Sequence, residues 1–421
     1  MRRIFLALFT LFFALILSEP LIRLADPPGL QYYRRSKMVH AYHDDYTISL
    51  RPSSSEYLNH PSGLWSGQFS VNSLGMHDLE EPQPGRPKMI CLGDSLSMGH
   101  GVGDGLNFCH LLKSKLPSVQ VLNASVDGFG TYAYAVRTEE ILTQLDSVKT
   151  ILLFPTPTDW WIPQRFRDRG ILPDDEKDQL RLEDSSYNFV FRLQFQLTEW
   201  FYTLQAMKLM QEQLILRFSI LRNSISAFVD DLFQQSASSS MLQSTDYLKR
   251  TFLLQRSVDV CATTSKTRAT ADAICPEPVP STIQCTDKPA YAASMPAFSQ
   301  ANLDRLIAAT RRGGVRLIVV LLPMQDEEIR CASAGKHHPN EEYAVQARQF
   351  FKSRNIDVVD LLPNTRSMCS LTEADGRYEY RHTISDYYLR EDGHLTVLGN
   401  QWAADTIADE LQKRNLITEV R

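Results

Sequence analysis

Five short, mainly apolar runs constrain the fold more than any other feature of this chain: residues 89–92, 119–122, 150–154, 315–322 and 356–362. A strand with one wet face alternates polar and apolar residues. A strand covered on both faces by helices does not, and reads as a continuous apolar run. Helix-compatible stretches separate most of these runs, so the pattern predicts an α/β fold: a three-layer α/β/α sandwich around a parallel sheet of about five strands, joined by right-handed crossovers.

The spacing breaks once. Between Phe154 and Val315 lie about 160 residues, more than one crossover helix can use. An insertion is expected there. Residues 189–233 carry Phe, Leu, Trp and Met at helical spacing and read as two helices, with the apolar stripe serving a lid or core packing. Residues 234–296 are rich in Ser, Thr, Ala and Pro and contain Cys261, Cys275 and Cys285, two of which could close a loop in an oxidising compartment.

The N-terminus sets a second expectation. Arg2 and Arg3 precede an uncharged run, residues 4–18, which Glu19 and Pro20 end. At about 1.5 Å per residue this run covers roughly 22 Å, against a hydrocarbon layer of roughly 30 Å. A secretory signal and an uncleaved signal anchor are both open readings. The anchor is favoured, because no small-residue cleavage site follows Leu17 and the pattern continues through Leu21, Ile22, Arg23 and Leu24. The bulk of the chain is thus expected outside the cytoplasm, tethered to a membrane by an N-terminal hydrophobic helix.

The resulting division is an anchor or signal over 1–24 and a lead-in over 25–80 rich in Pro, Ser, His and Tyr. A first core part over 81–165, the insertion over 166–300 and a second core part over 301–421 follow. With 44 Lys+Arg against 49 Asp+Glu and a formal charge of -5, the chain lacks the basic excess of a nucleic-acid binder.

Three of the four segments that carry chemistry sit where strands are expected to end. The first run closes in Gly93-Asp94-Ser95-Leu96-Ser97, placing a serine at a strand's carboxyl end, before a helix, where open α/β sheets bind ligands. The loop after the second run, residues 123–131, holds Gly128, whose N–H could face the same spot as the Ser95 N–H and meet an oxyanion. The third run ends in Pro155-Thr156-Pro157-Thr158-Asp159-Trp160-Trp161. The fourth segment, Arg390-Glu391-Asp392-Gly393-His394, precedes an amphipathic helix over about 396–413. There Asp392 is near enough to hold the His394 imidazole in one tautomer while its other nitrogen faces Ser95.

Four such segments in this order resemble the SGNH hydrolases, also called the GDSL esterase/lipase superfamily, over residues 72–165 and 300–413. The segment Asn72-Ser73-Leu74-Gly75-Met76-His77-Asp78 is similar to the lead-in of membrane-tethered bacterial members. The resemblance implies a flavodoxin-like SGNH core and a serine esterase or O-acyltransferase acting on acylated carbohydrate or other small esters. In it Ser95 is the nucleophile, His394 the general base, and the N–H groups of Ser95 and Gly128 belong to the oxyanion hole. Two positions depart from the family. Thr158 stands where an Asn usually donates to the oxyanion, and loss of one such donor costs about 100- to 1000-fold in rate. The family's common acid spacing would assign Glu391, while the shorter spacing of polysaccharide O-acetyltransferase-like members assigns Asp392, which is preferred. A catalytically weak scaffold protein of envelope polysaccharide assembly and a lipase acting on membrane lipids are the rival readings.

No cofactor is expected. His337 and His338, near Glu341 and Glu342, read as surface residues rather than metal ligands. Cys91, inside the first run, reads as a buried inert thiol. Trp160 and Trp161 fit either core packing or the wall of an acyl or sugar site.

Overall fold

A computed structural model describes residues 2–160, 186–211, 285–288, 295–324, 326–338, 341–368, 371–374, 377–380, 384–389 and 393–417. In chain order its elements begin with α1 (Arg2–Ala25), α2 (Pro28–Val39), β1 (His40–His43), β2 (Thr47–Leu50), β3 (Ser55–Asn59) and β4 (Ser66–Ser70). They continue with β5 (Lys88–Gly93), α3 (Ser95–Met98), α4 (Phe108–Lys115), β6 (Gln120–Asn123), α5 (Thr131–Gln144) and β7 (Val148–Phe154). After α6 (Ser186–Trp200) come α7 (Ala297–Arg312), β8 (Arg316–Leu321), α8 (Asp326–Ser333), α9 (Glu341–Lys352), β9 (Asp357–Asp360), β10 (Leu371–Ala374), β11 (Arg377–Tyr380) and α10 (Val397–Lys413).

The five apolar runs become β5 to β9, hydrogen-bonded in the order β6-β5-β7-β8-β9 and parallel throughout. Their side chains split by parity into two cores. Ile90, Leu92, Leu122, Ile151, Leu153, Val319 and Leu321 pack with Tyr134 and Ile141 of α5, Leu303 and Leu306 of α7, and Phe350 and Phe351 of α9. Met89, Cys91, Val121, Leu152, Phe154, Ile318, Val320 and Val359 pack with Phe108 and Leu112 of α4 and Trp402, Ile407 and Leu411 of α10. Both faces of the sheet are dry, which explains why no strand alternates. The expected three-layer α/β/α architecture is present.

The lead-in segment contributes more than its composition suggests. It folds into α2 and two hairpins, β1-β2 and β3-β4. From these hairpins and the chain around them, Val39, Leu50, Leu58, Trp65, Phe69, Val71 and Met76 enter the first of the two cores.

The chain divides into two compact units, residues 1–31 with 197–267, and residues 32–196 with 268–421. In the smaller unit the N-terminal run is helical, as α1. The Glu19 carboxylate accepts the backbone N–H groups of Tyr202 (3.0 Å) and Thr203 (2.9 Å), capping a helix over 202–211. Among the described residues no helix is long and apolar enough to cross a membrane. The expected anchor is therefore unsupported, for a reason already present in its length: Glu19 and Pro20 end the run roughly 8 Å short of the hydrocarbon thickness.

The disulfide expectation is settled for one of its three cysteines. Cys285 is bonded to Cys331 of α8, a cysteine outside the Ser/Thr/Pro-rich trio. Cys261, Cys275 and most of the insertion, including residues 212–233, lie outside the described residues. Cys91 is fully buried with a free thiol, as expected.

Candidate active site

With β6 and β7 on opposite sides of β5, the crossovers leave in opposite directions and open a crevice beyond the strand ends. The turn after β5 projects into it. Asp94 caps α3, its carboxylate accepting the Leu96 N–H at 3.0 Å, and Gly99 ends the helix at φ 96°. Gly93 permits this tight turn because a Cβ there would lie 2.2 Å from Ser97 Oγ and 2.8 Å from Phe154 O. Asn123 Nδ2 donates to Ser97 O at 2.9 Å and Asn107 Nδ2 to Met98 O at 2.8 Å, so the last carbonyls of this one-turn helix are satisfied. Ser95 thus stands on a turn held at both ends.

His394 arrives from the other end of the chain. Leu389 N–H donates to His394 O at 2.7 Å, Tyr388 and Leu395 form an antiparallel bridge, and Thr396 Oγ1 caps α10 by accepting the Gly399 N–H. Gly101 lets this loop approach α3, since a Cβ at that position would sit 2.4 Å from Leu389 Cδ1. The outcome is a 2.8 Å hydrogen bond between His394 Nε2 and Ser95 Oγ, across 299 residues of sequence. For the hydroxyl to donate to Nε2, the ring proton must reside on Nδ1. Asp392 and Glu391, the two candidates for the acid that would hold that tautomer, both lie outside the described residues. Sequence reasoning did not single out His100, whose ring centroid is 4.6 Å from that of His394 and 5.4 Å from that of Trp65. Its one available signal was position, five residues past Ser95.

The loop after β6 is tied to the same turn by the Val126 N–H, which donates to Gly93 O at 3.1 Å. Gly128 has φ +71°, a conformation side chains rarely adopt. Neither the Ser95 nor the Gly128 N–H has a hydrogen-bond partner among the described residues. The neighbouring Asp127 accepts from His40 Nε2 at 2.8 Å, while His40 Nδ1 lies 2.6 Å from Ser36 O. Both acceptors demand a proton, so His40 is an imidazolium. Burial opposes that charge, but the Asp127 carboxylate outweighs it and raises the His40 pKa. Burial likewise works against ionised Asp127, and the His40 charge overcomes it and lowers the Asp127 pKa.

The third segment forms a 3-10 turn, Pro157–Trp160, after β7. The Thr158 side chain lies outside the described residues, as does Trp161. Thr156 and Asp159 are well placed instead: Thr156 Oγ1 is 3.0 Å from Asp94 Oδ2 and 3.1 Å from Asp159 Oδ1, which fastens the β7 tip to the β5 tip. Trp160 is buried in the core. His337 Nδ1 pairs with Glu341 at 2.9 Å. His43, Asp45 and Glu140 gather within metal-ligand distance of one another. However, His43 Nδ1 accepts the Asp45 N–H, and Glu140 is engaged by Tyr46 and Arg137.

No family model matches the chain, and no curated protein does. Among solved structures, TesA aligns with a TM-score of 0.34 and 10% identity, covering 77% of this chain and 98% of the other. A member of the lipolytic protein G-D-S-L family from Veillonella parvula aligns with a TM-score of 0.33 and 11% identity, again over 77% and 98%. Likenesses at this level assign no family, and the chemistry of the site has to be read from its own geometry.

Proposed function

We propose that the protein is a serine-dependent acyl-ester hydrolase of the SGNH kind. The observation that carries this reading is the 2.8 Å contact between His394 Nε2 and Ser95 Oγ at the carboxyl end of a parallel sheet. His394 removes the Ser95 proton as Oγ attacks the ester carbonyl, and the oxyanion forms against the N–H groups of Ser95 and Gly128. As the tetrahedral intermediate collapses, the bond to the leaving oxygen breaks, His394 returns the proton to that oxygen, and an acyl-enzyme remains. Water, activated by the same imidazole, then releases the acid and restores Ser95. If a sugar hydroxyl takes the place of water, the same steps make the enzyme an O-acyltransferase, and acylated carbohydrate is the substrate class proposed. Asp392 is the proposed acid behind His394.

An extracytoplasmic location is part of the proposal. Disulfides persist in oxidising compartments, and Cys285–Cys331 supports that placement.

The test is turnover of a short-chain aryl ester. Ser95→Ala is expected to lower the rate about 10⁴-fold or more with an unchanged circular dichroism spectrum. Undiminished turnover in the folded variant would reject Ser95 as the nucleophile, and a folded wild type without turnover on any ester would favour a binding or scaffold role.

A further inference from the structure

Two carboxyl groups, Asp94 and Asp159, are buried beneath the turn that carries Ser95, and a single hydroxyl stands between them. Thr156 Oγ1 has one hydrogen to give. It lies 3.0 Å from Asp94 Oδ2 and 3.1 Å from Asp159 Oδ1, so with both carboxyls ionised one of those contacts would set lone pair against lone pair. One added proton removes the conflict.

We propose that Asp159 carries this proton and donates it through the Thr156 hydroxyl to an ionised Asp94, so that Asp94 holds α3, and with it Ser95, toward His394. The donors and acceptors then alternate along these contacts. Asp159 Oδ1–H donates to Thr156 Oγ1, and Thr156 Oγ1–H donates to Asp94 Oδ2. Asp94 Oδ1 accepts the Leu96 N–H at 3.0 Å. Asp159 Oδ2 accepts the Tyr134 hydroxyl at 2.7 Å and the Thr156 N–H at 2.6 Å. Asp159 is therefore a positioning residue, acting on Ser95 through Thr156 and Asp94.

The surroundings agree with this assignment. Burial, then the charge of Asp94, pushes the Asp159 carboxyl well above the ordinary carboxylate range. Burial, with Asp127, raises Asp94 as well, less far than Asp159, because the Leu96 and Thr156 hydrogen bonds and the His394 ring work for its ionised form. Among the described residues, the other titratable groups that face the pair are Tyr134 of α5 and Tyr343 of α9, both buried phenols whose pKa burial raises. An anionic Asp94 also complements the imidazolium that His394 becomes during the reaction.

The role assigned to Ser95 and His394 is that of the proposed function, but the first two tests need no catalysis. Infrared difference spectroscopy of the whole protein at neutral pH is expected to show the carbonyl band of a protonated carboxylic acid, and Asp159→Asn should remove it. Absence of the band in the wild type, or its persistence in that variant, overturns the proposal. In thermal melts, Asp159→Asn, whose amide repeats every bond of the neutral acid, should match the wild type while Asp159→Ala melts lower. Equal losses would show that the site wants a carboxylate and would also overturn it. The third readout is the rate at which a fluorophosphonate labels Ser95. Thr156→Val, which keeps the backbone N–H but removes the relay, should slow labelling by about 10- to 100-fold, as small misplacements of a nucleophile do. Asp159→Asn should restore what Asp159→Ala loses. A wild type that takes no label would count against the esterase reading alone, while Thr156→Val labelling at the wild-type rate would count against the relay alone.

Discussion

Ser95 and His394 illustrate how little chemistry a residue needs beyond its placement. A serine hydroxyl is a weak nucleophile in water, and an imidazole nitrogen at hydrogen-bond distance can activate it by taking its proton; in the proposed function His394 Nε2, 2.8 Å from Ser95 Oγ, has that part. Truncation of the base should therefore cost nearly as much as truncation of the nucleophile. His394→Ala is expected to lower ester turnover by at least about 10²- to 10⁴-fold, with KM nearly unchanged, in a steady-state assay. A change confined to KM would mean that the ring binds substrate and does not move a proton. Asp392→Asn should damage the rate far more than Glu391→Gln, and the reverse ranking would move the acid to Glu391. Ser95 and Gly128 could be singled out in the sequence because each follows an apolar run in a glycine-containing turn, and His394 because it stands beside Gly393 just before the C-terminal amphipathic helix. Asp159, Thr156 and His100 were not. Their roles depend on which strand tips lie side by side, and that follows from the order of the sheet, which no local pattern contains.

At the scale of elements, the parallel strands were readable because burial on both faces leaves a mainly apolar signature without alternation. The hairpins of residues 40–70 were not, since they bury a few large side chains such as Trp65 and Phe69 among polar neighbours. They matter to the site through His40, at the start of β1, whose imidazolium clamps Asp127 beside Gly128. The sign of its pH dependence follows from the two shifts. A raised His40 pKa gives stability that is complete below the unfolded value of 6.5 and lost as pH rises through the folded one. A lowered Asp127 pKa gives stability present above 3.8 and lost as pH falls through its folded value. His40→Asn should therefore destabilise the protein most between these limits, by about 1–2 kcal/mol because the Asp127 side chain is 37% exposed and solvent screens the pair. Chemical denaturation across pH checks this. A deficit that grows at alkaline pH would contradict the imidazolium.

For the whole molecule, Cys285–Cys331 fastens the end of the insertion to α8 across 46 residues. Cross-linking a loop of that length stabilises by about 4 kcal/mol in the chain-entropy account, so Cys285→Ser with Cys331→Ser should lower the melting temperature, and reduction of the wild type should do the same. Equal melting temperatures with and without reductant would show that the bond contributes nothing. The pairing was missed because the trio 261, 275 and 285 is grouped by composition, whereas a disulfide is selected by distance in the folded chain. Sheet order, insertion and bridge all bear on whether two residues 299 positions apart make one reactive centre. The most direct measurement is to treat the intact protein with a fluorophosphonate and locate the adduct by mass spectrometry, in the wild type and in His394→Ala. A single adduct on Ser95 that forms in the wild type and is nearly abolished in the folded variant is the predicted result. No adduct, an adduct elsewhere, or labelling of Ser95 indifferent to the loss of His394 would contradict it.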